Sequence, residues 1–371
     1  MKPLEIYIHI PFCKSKCTYC DFASFPREIG KAEAYFACLY KEIKSRASEL
    51  KDKTFNTVYF GGGTPSYVDP KFILGAMRLI KEQFNLSDDL EVTLEVNPGT
   101  IDKEKLLIYK KAGVNRFSVG LQSADDKILR DINRIHNLTD FLRTMKLLKG
   151  FNLSVDVMIG LPNQTLESVK QTVMLATSQD IKHISVYALT PEEGTPMYSR
   201  YLNGDLPDAD TVSDYYEEVV KMLEDLGFFR YEVSNFAKKG YESRHNLNYW
   251  KRGEYIGFGV AASSFINERR FTNAQRIDEY VHCLLHDKYP EILSEEIEPD
   301  ERRFEYVMLH LRTERGIDFE EYKNYFGTDF NVDFKHKIPP VLKYLDLDEK
   351  GVKIKKQYLY VQNNIIIHFM D

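Results

Sequence analysis

Tryptophan occurs once and cysteine only five times in this chain of 371 residues. A small, odd number of thiols excludes a disulfide-stapled secreted scaffold. Three of the five, Cys13, Cys17 and Cys20, crowd together near the start, and thiols so clustered persist in a reducing compartment. No apolar run is long enough to span a bilayer. Residues 1–5 pass straight into strand-like sequence with no apolar signal core, so the reading is a cytoplasmic protein without a transmembrane segment. A dominant charge is lacking too. Fifty basic against 56 acidic residues leave −6, mixed along the chain, which gives a nucleic acid no footing. The triplet Gly61-Gly62-Gly63 lacks the Gly-Lys-Ser/Thr ending of a phosphate loop, and nucleoside triphosphate binding is not expected. Cys38 and Cys283 lie in helical patterns and read as small buried hydrophobes.

What is present starts with Tyr7-Ile8-His9-Ile10-Pro11-Phe12-Cys13, an apolar strand ended by its proline, running into a loop with Cys17 and Cys20. An iron–sulfur cube normally takes four cysteines. Three leave one iron open to a further ligand, the logic of a catalytic metal site. The spacing also admits a zinc site of Cys13, Cys17, Cys20 and His9.

With 43% hydrophobic residues the chain can bury a large core, in one large domain and a smaller one. Strand patterns at 5–9, 57–60, 91–94, 116–119, 153–158 and 183–187 alternate with helical patterns at 31–48, 69–83, 102–112, up to 148, and 166–178. Such alternation predicts a parallel sheet with crossover helices, as either an open sheet or a partial barrel. The unusual residues gather at strand ends: the cysteine loop, the glycine triplet, Glu95 with Asn97-Pro98, Gly120-Leu121-Gln122, Asp156 and Ala188. Both architectures place their sites there. A helix follows at 211–226, then Arg244-His245-Asn246-Leu247-Asn248-Tyr249-Trp250 and a glycine-marked strand at 255–265. Helices at 301–311, 318–326 and 334–345 and a hairpin of 351–354 with 358–361 suggest a winged-helix-like unit. It has no basic recognition helix, so substrate cover or partner docking is its expected role.

Cys-x3-Cys-x2-Cys with Tyr19 before the third cysteine resembles the signature of the radical S-adenosylmethionine (SAM) superfamily. The longer string from Tyr7 to Phe22 resembles its branch of oxygen-independent coproporphyrinogen III oxidases and HemW-type heme chaperones. The resemblance implies an α/β fold, a partial (β/α)6 barrel over residues 1–230. It also implies a connecting segment over 231–297 and a smaller C-terminal α+β unit over 298–371. It implies that Cys13, Cys17 and Cys20 hold a 4Fe–4S cluster whose open iron chelates SAM. Carried over by position, the SAM contacts fall on Tyr7, Tyr19, Gly62, Gly63, Thr64, Glu95, Gln122, Arg134, Asp156 and Ala188. Gln122, Arg134 and Asp156 would also serve a second SAM position. His245, Tyr249 and Trp250 match the His-Asn-x-x-Tyr-Trp motif of the chaperones, implying heme as cargo there. Ser263 stands where many relatives have histidine.

Two departures favour the chaperones. Phe22 occupies the place of the dehydrogenases' fourth cysteine, and the motif begins already at Tyr7, where those enzymes have a long preceding segment. The expected function is therefore binding heme, or another tetrapyrrole, and delivering it to apo-hemoproteins. A reductant protein is an expected partner. SAM cleavage is left open, coproporphyrinogen dehydrogenase activity is not expected, and no catalytic residue is nominated. Oxidative decarboxylation of coproporphyrinogen propionates is the alternative.

Overall fold

The computed structural model describes residues 4–370; the leaderless start read at Met1 lies outside them. Six strands follow one another in the sheet in chain order: β1 (Leu4–Ile10), β2 (Thr54–Gly62), β3 (Asn85–Val96), β4 (Arg116–Gln122), β5 (Asn152–Ile159) and β6 (His183–Ala188). Every neighbouring pair is parallel. β1 shows why. Leu4, Ile6, Ile8 and Ile10 alternate with Glu5, Tyr7 and His9, yet nearly all seven are buried. The apolar set joins the main hydrophobic core, while the polar set faces the concave interior.

After the first, Ala32–Arg46, the crossover helices begin where short polar side chains cap them. Asp69, Asp102, Asn137 and Thr165 each accept a backbone N–H of the first turn, worth about 1 kcal/mol apiece. The long helical pattern before residue 148 is two helices, Asp126–Asp131 and Leu138–Leu147. The loop between them carries Arg134.

Residues beyond the barrel extend its sheet at both edges. Asn235–Ala237 pairs antiparallel with β6, and Tyr255–Phe258 pairs parallel with β1. The glycine-marked strand expected at 255–265 is two strands, Tyr255–Phe258 and Ser263–Ile266, paired antiparallel. The turn between them uses Gly259 at φ +101 and Ala261 at φ 56, left-handed backbone that no continuous strand accommodates. Arg269–Asn273 and Glu291–Glu296 at one edge, and Phe229–Arg230 beyond Asn235–Ala237 at the other, complete a twelve-stranded sheet. Arg244–Trp250 forms a short helix whose His245 reaches the barrel interior at Thr57.

The C-terminal unit has its own core around Tyr306, Val307, Tyr322 and Phe330. Helix Pro299–His310, strand Ile317–Asp318, helices Phe319–Phe326 and Phe330–Asp333, then strands Leu345–Leu347 and Gly351–Ile354 give the winged-helix order. Two expectations fail here. The helix at 334–345 is absent, because Pro339 and Pro340 remove two backbone donors and leave only a 3-10 stretch, Pro339–Tyr344. Gly351–Ile354 pairs with Leu345–Leu347, not with 358–361, which is 3-10 helix; the Asp348 carboxylate accepts from the Lys350 and Gly351 N–H groups and sets the tighter turn. The unit is tied to the barrel sheet through Glu305, which accepts from Arg252 at 2.9 Å and Arg270 at 2.6 Å. Among the described residues no helix is long and apolar enough to cross a membrane.

Candidate functional site

The cysteine loop leaves β1 at Pro11 and is held on three sides. Gly63 and Thr64 N–H donate to the Ile10 and Phe12 carbonyls, Thr18 N–H donates to Ile132 O, and Met197 N–H donates to Thr18 O. Asn133 Nδ2 donates to Ser15 Oγ and Lys16 O at 2.9 and 2.8 Å. Cys13 Sγ lies 3.5 Å from Thr64 Oγ1, and Cys20 Sγ 3.8 Å from Ser24 Oγ. Arg134 directs one nitrogen to Cys17 Sγ at 3.6 Å. Its other terminal nitrogen donates to Asn97 Oδ1 and Gly120 O, both at 2.7 Å, so one guanidinium joins the loop to the ends of β3 and β4. Burial pushes the Cys13 and Cys20 thiols up in pKa. A cationic metal centre would supply the missing stabilisation of the thiolates.

His9 is committed elsewhere. Its Nε2–H donates to Ala23 O and its Nδ1 accepts from the Tyr7 hydroxyl, both at 2.9 Å. With both nitrogens occupied, the ring does not complete a zinc site with the thiols.

All three cysteines line one chamber of about 440 Å³ at the carboxyl ends of the strands. Tyr19, Gly62, Gly63, Thr64, Glu95, Gln122, Arg134, Asp156 and Ala188 line it with them. The glycines are there because nothing larger fits. A Cβ on Gly62, at φ +110, would come within 2.6 Å of the His9 ring, and one on Gly63 within 2.9 Å of the Ile10 and Phe12 carbonyls. Gln122 sits at φ 67, next to a register shift in the β4–β5 pairing. That bulge turns its side chain into the chamber. Gln122 Oε1 and Arg134 Nε are buried without a protein partner, an arrangement that suits ligand hydrogen bonds.

Two carboxyls form the floor. Glu95 accepts from Tyr59 OH at 2.9 Å and Gly62 N–H at 3.2 Å; burial, with Asp156 nearby, pushes its pKa up to about 7. Asp156 accepts from Ser118 Oγ at 3.1 Å, and burial raises its pKa too. Both are primed to accept from an amino group or ribose hydroxyls, whose arrival restores the lost solvation. The residues present thus fit a sulfonium nucleoside beside a thiolate-held cluster.

Tyr7 departs from the expected set, since it lines a neighbouring chamber with His9 and Tyr249. The heme assignment of His245 fails on geometry. Its Nδ1 lies 2.6 Å from Thr57 Oγ1 and 3.1 Å from Glu5 Oε2, and its Nε2 lies 2.9 Å from Tyr249 OH. The ring stacks on Tyr59 at 4.9 Å and is 1% exposed. Burial drives its pKa down to about 3. A neutral imidazole with both nitrogens engaged plugs the barrel interior and leaves no lone pair for iron. Trp250, on the same helix, lines neither chamber.

Sequence reasoning missed Lys105. It lies in helix Lys103–Ala112 and reads as surface, but its ammonium donates to Ser66 O at 2.7 Å and Thr100 O at 3.0 Å. It clamps the loop after the glycine triplet to the loop after β3. A lysine's helical position gives no sign of such a reach.

Comparison with known proteins agrees with this geometry. Residues 7–176 match the sequence model of the radical SAM superfamily, and residues 297–359 that of the HemN C-terminal domain. The heme chaperone HemW of Bacillus subtilis (strain 168) is 35% identical over 352 residues, covering 93% of this chain and 91% of that protein. The heme chaperone HemW of Escherichia coli (strain K12) is 33% identical over 334 residues, covering 88% and 87%. The coproporphyrinogen III oxidase HemN of Escherichia coli, a radical SAM enzyme, superimposes with a TM-score of 0.88 at 24% identity, over 99% of this chain and 90% of that one. The family implies a 4Fe–4S cluster and SAM, and the thiol-lined chamber has the residues to receive them. On this footing the chain belongs to the HemW family of the radical SAM superfamily.

Proposed function

We propose that this protein is a cytoplasmic heme carrier that takes up heme and hands it to apo-hemoproteins. The observation that carries the reading is the near full-length identity of 35% to a protein named a heme chaperone. In this reading Cys13, Cys17 and Cys20 hold the 4Fe–4S cluster. Glu95, Asp156, Gly62 and Gly63 hold SAM, and Gln122 and Arg134 present unused polar atoms for a second contact. A cluster held there would make one-electron reduction of the sulfonium available, given a reductant protein. The chain's own residues bind and orient: Arg134 fixes Cys17, and Tyr59 fixes Glu95.

The alternative is coproporphyrinogen III dehydrogenation, which shares the fold of the HemN structure. Phe22 argues against it, since this side chain, 63% exposed beside Cys20, offers no fourth thiol. Anaerobic protein with a reconstituted cluster is incubated separately with heme, and with coproporphyrinogen III, SAM and reductant. Heme uptake without decarboxylation, followed by heme transfer to an apo-hemoprotein, supports the carrier; protoporphyrinogen formation refutes it.

A further inference from the structure

Beside the thiol-lined chamber lies a second one of about 550 Å³, within the roughly 300–1,000 Å³ of small-molecule sites. It occupies the inner face of the sheet where that face runs past β1 onto the added strands, and helix Pro299–His310 of the C-terminal unit roofs it. Its walls include Tyr255, Phe265 and Leu309, and its rim has Arg270. Tyr249 and Tyr255 pack edge to face at 4.7 Å. Phe22 lines both chambers, where they adjoin.

We propose that this side chamber is the seat of the heme, a refinement that rests on the carrier reading. Flat aromatic walls suit a conjugated macrocycle. Heme iron takes ligands from histidine, methionine, cysteine or tyrosine, and the lining offers several. The His9 nitrogens are held by Tyr7 and Ala23, and the Tyr249 hydroxyl meets His245. Tyr255 is hydrogen-bonded to Arg270. The thioether of Met308 is the ligating group with no such duty, and it is assigned to the iron. Arg270, 35% exposed, lies between Glu295 and Glu305, and a propionate can replace the exposed Glu295 as its partner. The position places heme in the chamber that adjoins the cluster's at Phe22, so the two cofactors do not share a pocket.

The test uses the full chain with its cluster, titrated anaerobically with hemin and with metal-free protoporphyrin IX. Met308→Ala is expected to weaken hemin at least tenfold while changing protoporphyrin less than threefold. Ser263→Trp, which fills the chamber from its floor, is expected to weaken both at least tenfold. Iron, sulfide and SAM binding stay at wild-type levels in each. Wild-type hemin affinity in folded Met308→Ala and Ser263→Trp overturns the seat and leaves the carrier reading standing. Absence of hemin binding by the wild type overturns both. If Ser263→Trp does not fold, Met308→Ala alone decides.

Discussion

Replacing His245 by alanine separates a structural from a ligand role for the histidine of the His-Asn-x-x-Tyr-Trp motif. The substitution removes a fully buried ring stacked on Tyr59 and its hydrogen bonds to Thr57 and Tyr249. It also removes the ring nitrogen that lies 3.1 Å from the Glu5 carboxyl. Emptying an aromatic-sized site costs about 3–5 kcal/mol, and a further ~1 kcal/mol attaches to each buried partner left unsatisfied. Glu5 limits its own contribution, because burial raises its pKa to about 10 and the acid is neutral at pH 7. The expected loss is about 5–7 kcal/mol of unfolding free energy, a large fraction of a typical domain's stability. The assay is urea denaturation of the cluster-free protein, paired with hemin titration of the folded variant at low temperature. Hemin affinity is expected within threefold of wild type. A variant of wild-type stability that loses hemin binding tenfold or more refutes the plug and restores the ligand.

Three further outcomes follow from the site and its surroundings. Alanine at Cys13, Cys17 or Cys20 is expected to abolish iron and acid-labile sulfide after anaerobic reconstitution, and stoichiometric iron in any of the three contradicts the cluster assignment. Glu95→Gln keeps the shape but weakens acceptance from a cationic or hydroxyl donor, so SAM affinity should fall about tenfold, near 1.4 kcal/mol, with iron content unchanged; equal affinity by equilibrium dialysis removes Glu95 from the contact set. Glu42 lies apart from the site, and burial raises its pKa from 4.5 to about 7, so the folded state holds a proton that the unfolded state has released. Its contribution is full below pH 4.5 and is lost as pH rises through 7, a fall of about 1.4 kcal/mol per pH unit between those limits. Glu42→Gln is expected to flatten that part of the stability curve, and an unchanged slope counts against the raised pKa.

What the sequence determined by itself was whatever depends on local order. The alternation of strand and helix patterns set the parallel sheet, because each βα unit carries its own apolar faces and most carry their own capping residue, as at Asp69 and Thr165. The residues gathered at strand ends came together because parallel strands in sequential order bring all their carboxyl ends to one rim. Only the tertiary structure decided matters that join distant segments. His245 reads as a ligand in its motif, yet Glu5 and Thr57, far away in the chain, enclose it. Tyr7 alternates inward with Glu5 and His9, but the strands added at 255–273 set which chamber it faces. Lys105 finds its four carbonyls only because two loops close over it. The hairpin near residue 351 took its partner from Leu345–Leu347 once the turn at Asp348 had formed. Periodicity fixes which face a side chain takes; what lies opposite that face is set by chain closure, and no local pattern encodes it.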